Sequence, residues 1–254
     1  MSRHFFISTV LRLGISLGCV GVFLVSCLTS QAQDFTVTGQ VELVTEGSSK
    51  SAKGDRSNVV VWLTALDDRP ALQTVSQETP HQPPRLVQKD KRFSPHVVVV
   101  PAGTSVEFPN HDPFFHNVFS LFEGKRFDLG LYEAGTTRMV RFDRTGVSYI
   151  FCNIHPEMSA VVVALKTPYY GVSDKGGKVA IPHVPAGRYS MQVWAEGASG
   201  DNLKALTREI EISESAHSLG TLRILEDSPP APHKNKYGRD YDAPGTDYPP
   251  GEPK

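Results

Sequence analysis

Short runs of β-branched and aromatic residues, broken by strong turn signals, recur along most of the chain, and no stretch holds a helical period for long. Residues 34–44 alternate apolar and polar side chains, as a strand with one buried face does. Residues 59–66 are apolar almost throughout, which predicts a more fully buried strand. The polar, Gly/Ser/Lys-rich stretch 46–58 between them reads as a loop. Residues 67–84, with Pro70, Pro80, Pro83 and Pro84, read as a linker or long surface loop. Further strands are predicted at 85–93, 97–100, 105–108, 137–142, 146–151 and 159–165, with an irregular, aromatic-rich stretch at 109–134. After Pro168 two strands flank the turn Asp174-Lys175-Gly176-Gly177, and three more follow at 188–195, 207–212 and 218–225. Strands at this spacing predict an all-β chain of sandwich type. Residues 226–254 are rich in Pro, Tyr and charge. They bury too little apolar area to offset their ordering entropy, so disorder or an extended segment lying on a surface is expected.

Composition narrows the function classes. Hydrophobic content of 39% and charged content of 21% suit a globular protein, and 21 Gly with 19 Pro favour β-structure over helix bundles. The net charge is −1 with no sustained basic run, which excludes nucleic acid as a partner. At the N-terminus, Arg3 and Arg12 precede an uninterrupted run of apolar and small residues from 13 to 25. Residues 1–32 therefore read as a secretory signal peptide. Ser30-Gln31-Ala32 suits ordinary cleavage. Leu24-Val25-Ser26-Cys27 resembles a lipoprotein lipobox that would leave Cys27 lipidated, the one membrane attachment expected. Of three cysteines, Cys19 lies in the leader and Cys27 is removed or acylated, so Cys152 remains the one free thiol of an extracytoplasmic, periplasmic chain. Such a thiol is either buried and inert or protected by a metal.

Cys152, His155 and Met158 stand three residues apart between two apolar runs, in Phe151-Cys152-Asn153-Ile154-His155-Pro156-Glu157-Met158. A second cluster, His111 to His116, lies upstream, with His116 placed 36 residues before Cys152. Two imidazoles, a thiolate and a thioether are the donor set of a blue-copper electron-transfer site with a weak axial methionine. Zinc is the rival metal, but a thioether serves it poorly and no cysteine pair is present. His111 is the rival to His116, although its place between Asn110 and Asp112-Pro113 reads as a turn.

Residues 85–166 resemble the cupredoxins, the plastocyanin and amicyanin family. The likeness is carried by Val100-Pro101-Ala102-Gly103-Thr104, Val106-Glu107-Phe108, Asn110-His111-Asp112, His116-Asn117-Val118 and the short Cys152-x-x-His155-Pro156-x-Met158 loop. It implies a Greek-key β-sandwich holding one type 1 copper on His116, Cys152, His155 and Met158. It also implies that Asn117 supports the ligands by tying the two ligand loops together. Pro113, Phe114, Phe115 and Pro156 would ring the exposed edge of His155 as a docking patch. The flanks 34–66 and 167–225 resemble a carboxypeptidase regulatory-like (transthyretin-like) β-sandwich, on Thr38-Gly39-Gln40-Val41, Val59 to Leu63, and Val184-Pro185-Ala186-Gly187-Arg188-Tyr189. The copper domain is then expected as an insertion in this split second sandwich. The function implied is electron carriage, not enzymatic catalysis, with a redox protein such as a cytochrome or a periplasmic dehydrogenase or oxidase as partner. The alternative is a copper storage, delivery or surface-interaction module.

Overall fold

The computed structural model describes residues 33–45, 54–67, 82–121, 123–227 and 233–241, which form sixteen strands and one short helix. The leader 1–32 with Cys27, and most of the linker 67–84, lie outside the described residues. The chain is all-β: two sandwiches, one set within the other in sequence.

The flanking sandwich is assembled from both ends. β1 (Asp34–Thr45) lies between β13 (Lys178–Pro185), antiparallel, and β16 (Ser218–Glu226), parallel. Its second sheet runs β12 (Tyr170–Val172), β2 (Val60–Ala65), β14 (Gly187–Trp194), β15 (Arg208–Ile212). Among the described residues, strands from 34–65 therefore pair with strands from 170–226, and the strands of 87–165 lie between them in sequence. The alternation of β1 turns Val37, Val41 and Leu43 inward, where they meet Val61, Leu63, Ile181, Met191 and Ile224 in one core. Gly177 shows why its turn needs glycine: its φ is +82°, and a Cβ there would lie 2.4 Å from the carbonyl oxygen of Val41.

The central sandwich has a five-stranded sheet ordered β5 (Val97–Pro101), β11 (Ser159–Leu165), β10 (Gly146–Cys152), β7 (His116–Ser120), β8 (Phe127–Tyr132). The opposing layer pairs β6 (Thr104–Pro109) with β9 (Thr137–Phe142), and β3 (Val87–Lys89) with β4 (Arg92–Ser94). Phe108, Val118, Phe142, Ile150, Val162 and Leu86 fill the space between them.

Three expectations change. The single strand predicted at 85–93 is a hairpin, because Asp90 and Lys91 both take positive φ (55° and 54°), the geometry of a two-residue primed turn. The stretch 109–134 is not irregular throughout. It contains β7, buried at every position and so without alternation, and β8, which carries a left-handed Gly130. The helix α1 (Gly200–Ala205) was not foreseen; at six residues it is too short to show a period, and Ser199 caps it.

After Ser159, β11 is apolar from Ala160 to Leu165 because both of its faces are covered. Ala160, Val162 and Ala164 point into the central core, while Val161, Val163 and Leu165 meet Val60 and Trp194 of the flanking sandwich. β5 divides the same way, Val98 and Val100 inward and Val97 outward. At roughly 1.5–3 kcal/mol per fully buried aliphatic side chain, Val161 and Val163 together make this contact a substantial share of the fold's stability. His96 Nε2 to Glu196 Oε2 at 2.6 Å and Tyr170 Oη donating to the carbonyl of Val99 at 3.3 Å add polar links.

The tail, expected to be disordered or to lie extended on a surface, is ordered at residues 233–241. These residues lie against β10 and the loop that follows it. Its composition supplies no core, but its aromatic and amide groups find partners on a surface already formed.

Candidate metal centre

β10 ends at Cys152, whose side chain is completely buried in the central core. The loop 153–158 then folds back, with Met158 N–H donating to the carbonyl of His155 at 3.1 Å and Cys152 N–H donating to that of Met158 at 3.2 Å. This tight closure places His155 beside Cys152 and delivers a completely buried Met158 immediately before β11. From the neighbouring strand, β7 opens with His116, also completely buried.

The three donors converge. His116 Nδ1 and His155 Nδ1 each lie 3.6 Å from Cys152 Sγ, and all three donor atoms fall within 4.8 Å of one another. An ion bound to imidazole nitrogen at about 2.0 Å and thiolate at about 2.3 Å holds those two atoms roughly 3.5–3.7 Å apart at ordinary coordination angles. The cluster therefore fits a first-row metal ion, and its N/S chemistry is compatible with copper. Met158 shares the apolar cluster that contains Cys152. His111 is exposed, and its N–H donates to the carbonyl of Gln88, so it stands as a turn residue and not in the cluster.

The imidazoles are held for ligation. Asp112 Oδ2 accepts from His116 Nε2 at 2.8 Å, which puts the ring proton on Nε2 and leaves Nδ1 bare toward Cys152. Burial works to raise the Asp112 pKa. The hydrogen bonds from His116 and from the N–H groups of Lys91 and Asp90 outweigh it, so the group stays ionised. Burial lowers the pKa of His116 and of His155, keeping both rings neutral and able to coordinate. Burial likewise pushes the Cys152 thiol up, while the backbone N–H groups of Asn117, Ile154 and His155 pull the other way. Burial thus favours the neutral thiol, and a nearby cation would favour the thiolate.

Asn117 joins the loops that carry His116 and Cys152 through its main chain. Its carbonyl accepts from Asn153 N–H at 2.8 Å, and its N–H faces the thiolate sulfur. Its side chain turns away, donating to Asp128 Oδ1 at 2.7 Å. Around the mouth, Pro113, Phe115 and Pro156 are exposed, Phe115 at 55%. Phe114 is half-buried against both rings, 5.3 Å from His116 and 5.5 Å from His155 between centroids.

Sequence reasoning placed Asn110-His111-Asp112 in the family likeness but gave no role to Asp112, whose signal was its place four residues before His116. It likewise gave none to Asn110, which shapes the same loop by accepting from Asp112 N–H and donating to the carbonyl of Phe114. The third omission is the tail. Tyr241 donates to the carbonyl of Cys152 at 2.7 Å, and His233 stacks on Phe151 with centroids 4.0 Å apart.

Comparison with known proteins covers parts of the chain. Residues 161–218 match the family model described as polysaccharide lyase family 4, domain II, and not one of the regulatory-like type expected for the flanks. No curated protein matches the chain. Among solved structures the chain is similar to a Cu-containing nitrite reductase (NirK) from Thermus scotoductus SA-01, at 24% identity and a TM-score of 0.32, covering 34% of this chain and 23% of that one. It is also similar to a purple cupredoxin from Nitrosopumilus maritimus, at 23% identity and a TM-score of 0.30, over 32% of this chain and 99% of that one. A Cu(I) amicyanin variant is 16% identical with a TM-score of 0.31, over 33% of this chain and 82% of that one.

Proposed function

We propose that the protein is an extracytoplasmic carrier of single electrons in which His116, Cys152, His155 and Met158 would hold one type 1 copper. The observation that carries this reading is the buried Nδ1–Sγ–Nδ1 triangle, with its 3.6 Å separations and with His116 fixed from behind by Asp112. Bound copper supplies the Cu(I)/Cu(II) couple. The chain does the rest. Its sandwich fixes the donors so that little has to move when charge changes, and its backbone N–H groups stabilise the thiolate. Phe114 and the closed loop shield the centre from water. His155, half-buried and edged by Pro113, Phe115 and Pro156, is the point of closest approach for a redox protein such as a cytochrome. Neutral rings and a mixed N/S set serve both oxidation states, which favours carriage over storage.

The test is direct. Purified mature protein given Cu(II) is expected to take on an intense visible colour from thiolate-to-copper charge transfer, and Cys152→Ser is expected to abolish it. Reversible reduction by a small cytochrome separates a carrier from a store. A colourless protein that purifies with zinc overturns the reading.

A further inference from the structure

The segment 233–241 is folded in its own right. Asn235 Oδ1 accepts from the N–H groups of Tyr237 at 3.0 Å and Arg239 at 3.1 Å, and Asn235 N–H donates to the carbonyl of Arg239 at 2.9 Å. Gly238, at φ +75°, closes that turn with its N–H on the carbonyl of Asn235. The turn presents two arms to the metal centre. On one, Lys236 N–H donates to Asn153 Oδ1 at 2.9 Å, and Lys236 Nζ reaches Asp128 Oδ2 at 2.8 Å. On the other, Tyr241 Oη donates to the carbonyl of Cys152 at 2.7 Å. The phenol's single proton is committed there, and His233 Nδ1 lies 3.1 Å from the phenol oxygen while its ring lies flat on Phe151.

These contacts close a ring of hydrogen bonds. Lys236 binds Asn153; Asn153 N–H binds the carbonyl of Asn117; the Asn117 amide binds Asp128; and Asp128 returns to Lys236. The ring contains the residue after Cys152 and the residue after His116. The tail thereby fastens the two ligand loops to each other and to β8. Tyr241 meets an independent need. The ladder between β10 and β11 ends at Phe151–Ser159, so the Cys152 carbonyl lies past its last rung, and the phenol supplies its donor.

We infer that residues 233–241 form a strap belonging to the metal centre, in which Lys236 and Tyr241 are positioning residues that hold the Cys152 and His116 loops at ligand spacing. As a statement about copper this rests on the carrier reading; as a statement about the loops it stands on the apoprotein. The contacts run to β10, Asn153 and β8, and His233 also reaches the backbone of Pro156, while Phe115 stays exposed.

The full mature chain is compared with the double variant Lys236→Met, Tyr241→Phe, which keeps size and ring packing. In the apoprotein, hydrogen exchange at the Asn153 amide is expected to accelerate about tenfold, with amides of β5 and β11 unchanged. With Cu(II), transfer of the ion to a chelator is expected to be at least about tenfold faster, the lower end of what loss of a supporting partner costs a metal site. The charge-transfer band and the reduction potential are expected to shift with it. Unchanged exchange at Asn153 together with wild-type copper release overturns the strap, and so does a lower melting temperature with exchange and release unaltered. If the wild-type chain stays colourless with Cu(II), the carrier reading has failed. The exchange measurement then still decides the strap: acceleration at Asn153 supports it and its absence overturns it.

Discussion

Asp112 and His116 are joined through Oδ2 and Nε2 at 2.8 Å, with the carboxylate 4% and the imidazole 0% exposed. The same carboxylate accepts from Asp90 N–H at 2.6 Å and Lys91 N–H at 3.1 Å, so one side chain fixes both the ligand's tautomer and the β3–β4 turn. Asp112→Ala is expected to lower metal affinity by about 10–100-fold, the usual cost of losing such a partner. Leaving two turn amides without their acceptor is expected to destabilise the apoprotein by roughly 1–3 kcal/mol. Chelator competition reads the first effect and urea denaturation the second. Wild-type affinity in the variant removes Asp112 from the site.

Phe114 and Phe115 are adjacent but differ in what they touch. Phe114 packs against both imidazoles with Lys91 Nζ 5.6 Å over its ring, whereas Phe115 is exposed. Phe115→Glu is expected to slow electron exchange with a cytochrome by about tenfold or more, since a charge on an apolar contact must be desolvated on docking. The visible spectrum should stay unchanged. Phe114→Ala is expected to alter the spectrum itself. Stopped-flow exchange measured beside absorbance separates the two, and an unchanged rate for Phe115→Glu rules the patch out.

The legible and illegible parts of this chain divide by the range of the interaction. The Cys152–His155–Met158 spacing is local, and the loop closes on itself, so the sequence displays it whole. β1 announces itself because one face is wet, while β7 does not because every position is buried. The continuous apolar run of β11 was readable as a strand, but not as a strand covered by a second sandwich, since nothing in the run says what lies on its outer face. Asp112 received no role because its second partner, the Asp90–Lys91 turn, lies 22 residues away and depends on two left-handed residues that are neither Gly nor Asn. The tail was left between disorder and a surface segment for a related reason. Low apolar content forbids a core, but it does not forbid docking on one already made.

Both tryptophans of the chain, Trp62 and Trp194, lie where the two sandwiches meet. Trp194 is 6% exposed, with its ring 6.5 Å from that of Tyr149. Trp194→Ala is expected to cost about 3–5 kcal/mol, the range for emptying a large aromatic site in a core. Because β11 serves both cores, the flanking and central sandwiches are expected to lose stability together. Urea denaturation of the apoprotein followed by circular dichroism and by fluorescence of the remaining Trp62 should show one coincident transition, moved to lower denaturant. Two separated transitions in the wild-type chain would mean that the sandwiches are stable independently and the contact is incidental.

His96 and Glu196 sit on opposite sides of that contact, 2.6 Å apart and each about a third exposed or less. The hydrogen bond to Glu196 raises the His96 pKa above its ordinary value against the pull of burial. The folded chain therefore binds this proton more tightly than the unfolded chain does, and stability from the pair is linked to pH with a definite sign. The contribution is complete below the unfolded value near 6.5 and disappears as pH rises through the higher folded value. His116, His155 and His233 are shifted the other way by burial and add stability as pH rises. The His96 share is therefore read as the difference between the wild-type and His96→Gln urea midpoints of the apoprotein, which should shrink as pH rises from 6 across that window. A difference between the two profiles that stays flat or grows over the window would show that the pair does not bind the two sandwiches together.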